Sequence, residues 1–447
     1  KRPALNWSAI DVSIFGTLFE RGLDPSKRSQ LGAHYTDPAT IMRIVEPVLS
    51  RPLLQKWELV TQEIRGLLVK SVRKNDKHYN AAKARFVLWL EDLKAYRVLD
   101  PACGSGNFLF LGLKALKDIE HKSHLDAAAL GLDREADLVT GPHNVLGIEL
   151  NEYAAELARV TVWIGELQWR MAHGYDFKTN PVLEPLDHIE CRDALLSFSD
   201  SGERAGQTPG AHEPSVPKSP PTSAPPTPLR DLSEGEENGV RSEFRTAALP
   251  ETNRTERNSA LTPVSVTAGE RHATEATWPK ASVVIGNPPF LGGSKKRGEL
   301  GVTYFEALHS VFENRVPAGA DLVCYWFEKA RQAIESNGLG AAGLVATNSI
   351  RGGSNRKVLD AICVTSDIYE AWSDEEWVND GAAVRVSLIC FGHGEKAQLN
   401  GKQIGEIHSD LTGTQHGAIA IDLATAKQLA NNSGAVFEGL RKDGPLD

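Results

Sequence analysis

"YRVLDPACGSGNFLFLGLKAL" (Tyr96–Leu116) reads as a strand, a glycine loop and a helix in direct succession. Val98 and Leu99 form a short apolar run closed by Asp100, and a helix opens at Asn107 or Phe108. Gly104 and Gly106 between them allow a tight turn and a close backbone approach to a ligand, which then faces a helix N-terminus. No Gly-Lys-Ser/Thr follows, so this is not a phosphate-cradling P-loop. Asp100 just before the loop would repel a pyrophosphate and instead suits a ligand bearing an ammonium group. A lone G-x-G fits a plain strand-to-helix turn equally well, so the neighbouring sequence has to decide.

The strand-then-helix order repeats in "NVLGIELNEYAAELARVTVWIGELQWR" (Asn144–Arg170) and "IECRDALL" (Ile189–Leu196). It resumes at "ASVVIGNPPF" (Ala281–Phe290), "GLGAAGLVATNSI" (Gly338–Ile350) and "DIYEAWSDEEWVNDGAAVRVSLICF" (Asp367–Phe391). Strands alternating with helices predict an α/β fold, a mostly parallel sheet with helices on both faces. Upstream, "AIDVSIFGTLFERGL" (Ala9–Leu23) predicts a helix with Phe15, Leu18 and Phe19 on one face. Asp37-Pro38 reads as a capped helix start, and the pattern stays helical through "AKARFVLWLEDLKAY" (Ala82–Tyr96).

Residues 199–277 interrupt the series. They hold 10 of the chain's 24 prolines and few aromatics, a composition that cannot bury enough apolar area to offset its ordering entropy. A disordered insertion is expected there. The organisation read from sequence is therefore a helical segment over 1–96 and a first half-sheet over 97–198. The insertion at 199–277 and a second half-sheet over 278–394 follow, and a further region begins at 395–447.

The 447 residues carry a net charge of −9, which does not by itself point to nucleic acid. The chain begins without Met and stops at "GPLD", and reads as part of something longer. No apolar run approaches the roughly 18 residues of a membrane span, and no secretory signal opens the chain. The five cysteines are scattered and without metal-ligand spacing, which predicts a cytoplasmic protein with free thiols and no metal site. The sequence carries no indication of oligomeric state.

Three carboxylates fall at three consecutive predicted strand ends, the edge where open α/β sheets bind ligands. Asp100 suits an ammonium group, Glu149 the two hydroxyls of a ribose, and Asp193 an adenine amino group. Together these describe S-adenosylmethionine. Asn287-Pro288-Pro289-Phe290 leaves its strand rigidly, either as a stiff exit or as a polar clamp beside an aromatic ring.

"DPACGSGNF", "GIEL", the strand-end Asp193 and "NPPF", preceded by "GAHYTDP" (Gly32–Pro38), resemble the gamma class of N6-adenine DNA methyltransferases. "FGTLFERGLDPSKRSQLGAHYT" (Phe15–Thr36) and "GNPPFLGG" (Gly286–Gly293) further resemble MmeI-like type II restriction-and-modification enzymes. The resemblance implies a Rossmann-like, S-adenosylmethionine-dependent methyltransferase fold acting on double-stranded DNA, with no metal needed for methyl transfer. By that resemblance, the Asn287 side chain and the Pro288 carbonyl accept the two hydrogens of a flipped-out adenine amino group. Pro289 stiffens the loop, Phe290 stacks on the base, and Trp377 is the candidate second aromatic. Tyr35 and Thr36 would meet the methionine end of the cofactor and Phe108 the adenine edge, with Ala102, Gly104 and Gly106 supplying the loop.

Lys295, Lys296 and Arg297, and separately Arg351, Arg356 and Lys357, are candidates for DNA phosphates. Methylation of a protein glutamine, of cytosine N4, or a non-catalytic cofactor-binding remnant are the competing readings.

Overall fold

The computed structural model describes residues 36–133, 137–175, 185–200, 271–336, 338–379, 382–394 and 396–414. Within them, successive strand residues face opposite ways, as the pleat of a strand requires. Val98, Val283, Ile285 and Val345 point into one apolar cluster, while Leu99, Val284, Leu344 and Ala346 point into another. A sheet buried on both faces needs helices on both, and it has them.

The helices begin at α1 (Pro38–Val45), where Asp37 accepts the Thr40 N–H at 3.0 Å and proline occupies the first turn. That is the capped start the sequence predicts. A π-helical turn at Glu46–Ser50 leads into α2 (Arg51–Leu68), followed by α3 (Lys77–Ala95). Then come β1 (Val98–Asp100), α4 (Asn107–Ala129), β2 (Val145–Glu149), α5 (Glu152–Ala172) and β3 (Ile189–Cys191). Trp57, Phe86 and Trp89 of α2 and α3 pack with Leu109, Leu113 and Leu116 of α4 in the first cluster. The helical segment is thus part of the sheet's cover.

After β3 comes a hairpin of β4 (Leu196–Asp200) and β5 (Arg271–Glu275), then β6 (Val283–Gly286), α6 (Lys296–Glu299), α7 (Val302–Val311) and α8 (Cys324–Glu335). β7 (Ala341–Thr347), α9 (Gly353–Thr365), β8 (Asp367–Asn379) and β9 (Ala382–Gly392) follow, with α7, α8 and α9 contributing to the second cluster. β10 (Ala397–Leu399) and β11 (Lys402–Ile404) extend the same sheet at its edge, past the boundary expected at 394. The nine-stranded order is β11-β10-β8-β9-β7-β6-β1-β2-β3. The strands β3, β2, β1, β6 and β7 run parallel, and β9 runs antiparallel between β7 and β8. The chain moves outward from β1 to β3, then returns to place β6 on the other side of β1. That reversal opens a crevice at the carboxyl ends of β1 and β6, where ligands bind in such sheets.

Two parts of the expected insertion, 199–200 and 271–277, lie among the described residues, where β4 and β5 pair antiparallel with Asp200 opposite Arg271. Glu275 then meets Arg315 at 2.6 Å and Lys329 at 2.9 Å, which ties the returning strand to the body. Residues 201–270 lie outside the described residues, as do Tyr35, the predicted helix at Ala9–Leu23 and the chain beyond 414. No described helix is long and apolar enough to cross a membrane.

Because β4 and β5 already face each other across that point, a two-residue turn can join them. Replacing 201–270 with Asn-Gly is expected to leave the melting temperature unchanged or higher, since each doubling of loop length costs about 0.6 kcal/mol of closure entropy. A fall of several degrees in a thermal melt would mean that the segment contributes to the packed body.

Candidate functional site

Asp100 ends β1 with only 1% of its surface exposed. Its Oδ1 accepts the Ala102 N–H at 3.0 Å. Across the crevice, a Cβ on Gly286 would stand 2.5 Å from that same oxygen, so the end of β6 must be glycine for the carboxylate to fit. Burial pushes Asp100 up to about 8; the Ala102 hydrogen bond opposes this and the nearby Glu149 adds to it. Among the described residues neither Asp100 nor Glu149 has an ion-pair partner. A buried, uncompensated carboxylate is costly, and a cationic ligand would relieve it.

The glycine loop follows from the same packing. Gly104 and Gly106 have φ of +51° and +89°, a region that side chains disfavour. Gly106 is doubly constrained, since a Cβ there would come within 2.8 Å of the Ala158 backbone on α5. Glu149, at the end of β2, holds the loop: its Oε2 accepts from Gly104 N–H at 2.9 Å and its Oε1 from Asn151 N–H at 2.8 Å. Burial raises its pKa, and these backbone donors oppose the rise. Trp326 of α8 donates its indole N–H to the Pro101 carbonyl at 3.1 Å, fixing the start of the loop from the other face.

Asp193 is engaged at both oxygens. Oδ1 accepts from the Leu195 and Leu196 N–H groups at 2.7 and 3.3 Å, and Oδ2 accepts from the Tyr304 hydroxyl at 2.7 Å. Tyr304 lies 111 residues away on α7, and no sequence signal connects the two. Phe108 is 4% exposed and packed into the first apolar cluster, which leaves almost none of its ring open to a ligand. The residue expected at an adenine edge thus sits in the first turn of α4, against the core.

Asn287 directly follows Gly286. Its Nδ2 donates to the Thr36 Oγ1 at 3.2 Å, whereas its Oδ1 is buried and, among the described residues, has no hydrogen-bond partner. An unpartnered buried acceptor costs about 1–3 kcal/mol, so its retention is informative. Pro288 is buried, and Phe290 packs against both apolar clusters at the strand-end edge. The loop beyond is anchored through Asp321. Asp321 Oδ1 accepts from Gly293 N–H at 2.8 Å, and Oδ2 accepts from Asn355 Nδ2 and Ser349 Oγ at 2.8 and 2.7 Å.

Trp377 sits on β8 opposite Val384, and its side chain lies outside the described residues.

Of the six residues expected to face DNA phosphates, Lys296, Arg351 and Arg356 make contacts within the fold. Lys296 is fully buried, with Nζ 3.3 Å from the Tyr325 hydroxyl and 4.8 Å from the centre of its ring. Burial lowers its pKa to about 8. Arg351 is half-buried and donates to the Asp410 carbonyl at 3.0 Å and to Asn348 Oδ1 at 3.2 Å, which makes it a loop fastener. Lys295 and Arg297 are exposed, the latter paired with Glu306 at 3.1 Å. Among the described residues no cluster of His, Cys, Asp and Glu is arranged to hold a metal.

Comparison with known proteins gives a consistent result. DNA methyltransferase A of Bacillus subtilis (strain 168) is 27% identical over 177 residues, which covers 37% of this chain and 16% of that protein. The structure of the type IIL restriction-modification enzyme MmeI in complex with DNA superposes with a TM-score of 0.58 at 22% identity. That match covers 92% of this chain and 45% of the other, so the chain spans less than half the length of either relative. The model for the MmeI DNA-methyltransferase domain matches residues 75–402. The match takes in most of the sequence, including every strand from β1 to β10, and the chain belongs to the MmeI DNA-methyltransferase domain family.

Proposed function

We propose that this chain transfers a methyl group from S-adenosylmethionine to the N6 amino group of an adenine flipped out of double-stranded DNA, as part of a restriction-modification system. The observation that carries the reading is the buried, unpartnered Oδ1 of Asn287 beside the ligand crevice. An exocyclic amine has hydrogens to donate, and this oxygen has nothing else to accept.

The donor set fits the cofactor. Asp100 offers a buried carboxyl that would ionise on meeting an ammonium group, and the open φ of Gly104 and Gly106 lets main chain approach a ligand closely. Glu149 holds that loop through Gly104, and on this reading its carboxylate accepts the ribose hydroxyls. Asp193, Tyr304 and the hairpin strand β4 form the neighbouring wall. S-adenosylmethionine supplies a methyl group already activated by its sulfonium charge, so the protein's contribution is positioning and electrostatics. Asn287 Oδ1 and the Pro288 carbonyl draw the amine hydrogens aside, which directs the nitrogen lone pair toward the methyl donor. Phe290, braced by both clusters, offers a stacking face to an extruded base. Lys295 and Arg297 remain available to backbone phosphates.

Asn287→Ala is expected to lower methyl transfer at least about 100-fold while leaving cofactor affinity within a few-fold, because the contact matters in the transition state. The measurement is labelled-methyl incorporation into adenine-containing duplex DNA, followed by digestion to identify the modified base. N4-methylcytosine as product, transfer to protein only, or full activity of the variant would overturn the reading.

A second expectation follows from Asp100. With its folded value near 8 against an ordinary 3.8, most molecules carry it protonated at pH 7. Binding an ammonium group favours the charged form, so S-adenosylmethionine binding at pH 7 should release close to one proton. Affinity should weaken by up to about tenfold per unit as pH falls from 8 to 6. In the free protein the neutral form favours folding: its contribution is full below the ordinary value and declines as pH rises toward 8, a dependence Asp100→Asn removes. Titration calorimetry in buffers of different ionisation enthalpy checks the proton count. A pH profile identical in wild type and Asp100→Asn would disprove the assignment.

A further inference from the structure

Asp193 follows β3, and the Arg192 N–H beside it donates to the Glu149 carbonyl at 3.0 Å, which ties this turn to the end of β2. Its Oδ1 takes two backbone donors, Leu195 and Leu196. Two bonds to one oxygen fix that atom but leave the carboxylate free to turn about it. Tyr304 supplies the second anchor, with its hydroxyl 2.7 Å from Oδ2. A carboxylate oxygen only accepts, so the tyrosyl O–H is the donor. Burial, with Asp193 adding to it, holds the Tyr304 hydroxyl well above the ordinary tyrosine range, so the proton stays in place.

Tyr304 is held independently of Asp193. It packs against the second apolar cluster one helical turn before the fully buried Leu308 of α7. Its ring lies 6.4 Å from that of Phe198 on β4. A carboxylate offers about four acceptor sites. Among the described residues Asp193 has both sites of Oδ1 and one of Oδ2 in use. What remains is one acceptor site, on an oxygen whose direction Tyr304 sets.

We propose that Tyr304 is a positioning residue that aims Asp193 Oδ2 at the 6-amino group of the cofactor's adenine, making the pocket selective for a 6-aminopurine nucleoside. The inference rests on the S-adenosylmethionine reading above, and Tyr304 acts through Asp193, away from the reacting atoms. Tyr304→Phe keeps the ring against Phe198 and removes the donor, so Oδ2 loses its fixed direction. KM for S-adenosylmethionine is expected to rise about 3–10-fold, the range one net hydrogen bond supports, with kcat within about twofold of wild type.

A ligand pair separates aiming from simple packing. The probes are S-adenosylhomocysteine and its analogue with hydrogen in place of the 6-amino group, each titrated calorimetrically against the full chain. Wild type should bind the amino form more tightly. Tyr304→Phe should weaken the amino form about 3–10-fold and bind the analogue as wild type does, which also shows that the variant is folded. Equal losses for both ligands, unchanged or tighter binding of the amino form, a wild type without preference between the two, or a fall in kcat at constant KM would each overturn the proposal. Failure of wild type to bind S-adenosylhomocysteine at all would instead overturn the underlying reading, so the two failures are distinguishable.

Discussion

A carboxylate taken out of water where the strand order reverses is the constraint on which the rest of this site depends. Asp100 has one backbone donor and no cation among the described residues, and an isolated buried charge of that kind costs several kcal/mol. The fold accommodates it through what it leaves out. Gly286 has no side chain because there is no room for one beside Asp100, and the glycine loop turns over the carboxylate so that Ala102 N–H donates to it. One residue beyond Gly286, Asn287 leaves a second polar demand unmet, this time for a donor. On the proposed reading, the adjacent strands β1 and β6 hold a cation site and an amine site side by side.

These unmet demands persist because their surroundings are over-determined. Glu149 fastens the glycine loop through two backbone N–H groups, Trp326 fastens Pro101, and Asp321 ties the loop after Phe290 to Ser349 and Asn355. Each fastening comes from a different segment of the chain. The site cannot relax by turning one side chain toward water, since its neighbours are held from both faces of the sheet. This is the physical content of preorganisation here: the polar cost is met in folding and recovered when ligand arrives.

Much of the architecture was legible in the sequence, because it rests on local signals. The change from helical to strand-helix periodicity at Tyr96, the glycine pair at 104 and 106 and the strand-end acids mark the half-sheets and their ligand edge. The two prolines after Asn287 mark the rigid exit. What the sequence did not reveal depends on contacts across long separations. Nothing near Asp193 announces Tyr304, and nothing near Asn287 announces that Thr36 is its partner. Lys296 looks like a surface charge between Lys295 and Arg297, yet the short helix at Lys296–Glu299 turns it inward against Tyr325. Phe108 stands at the head of a ligand-facing helix, but helical geometry points it at the core. The low-complexity composition was visible, whereas its limits were not: pairing of β4 with β5 fixes them, and pairing is a tertiary property.

The position of that long segment is itself explained by the sheet. It leaves and re-enters through a hairpin whose strands pair only with each other, outside the nine-stranded ladder. An insertion within β1 to β7 would have to hold parallel registers across a long closure, whereas here the register is set by five facing residue pairs at the hairpin itself. The Glu275 ion pairs to Lys329 and Arg315 then return the chain to α8, the helix that also carries Trp326 to the glycine loop. The element that receives the returning chain is thus one that shapes the strand-end edge. The chain can carry extra sequence at this point without disturbing the strand ends, because the mechanical connection passes through a side-chain clamp on a packed helix and not through the sheet.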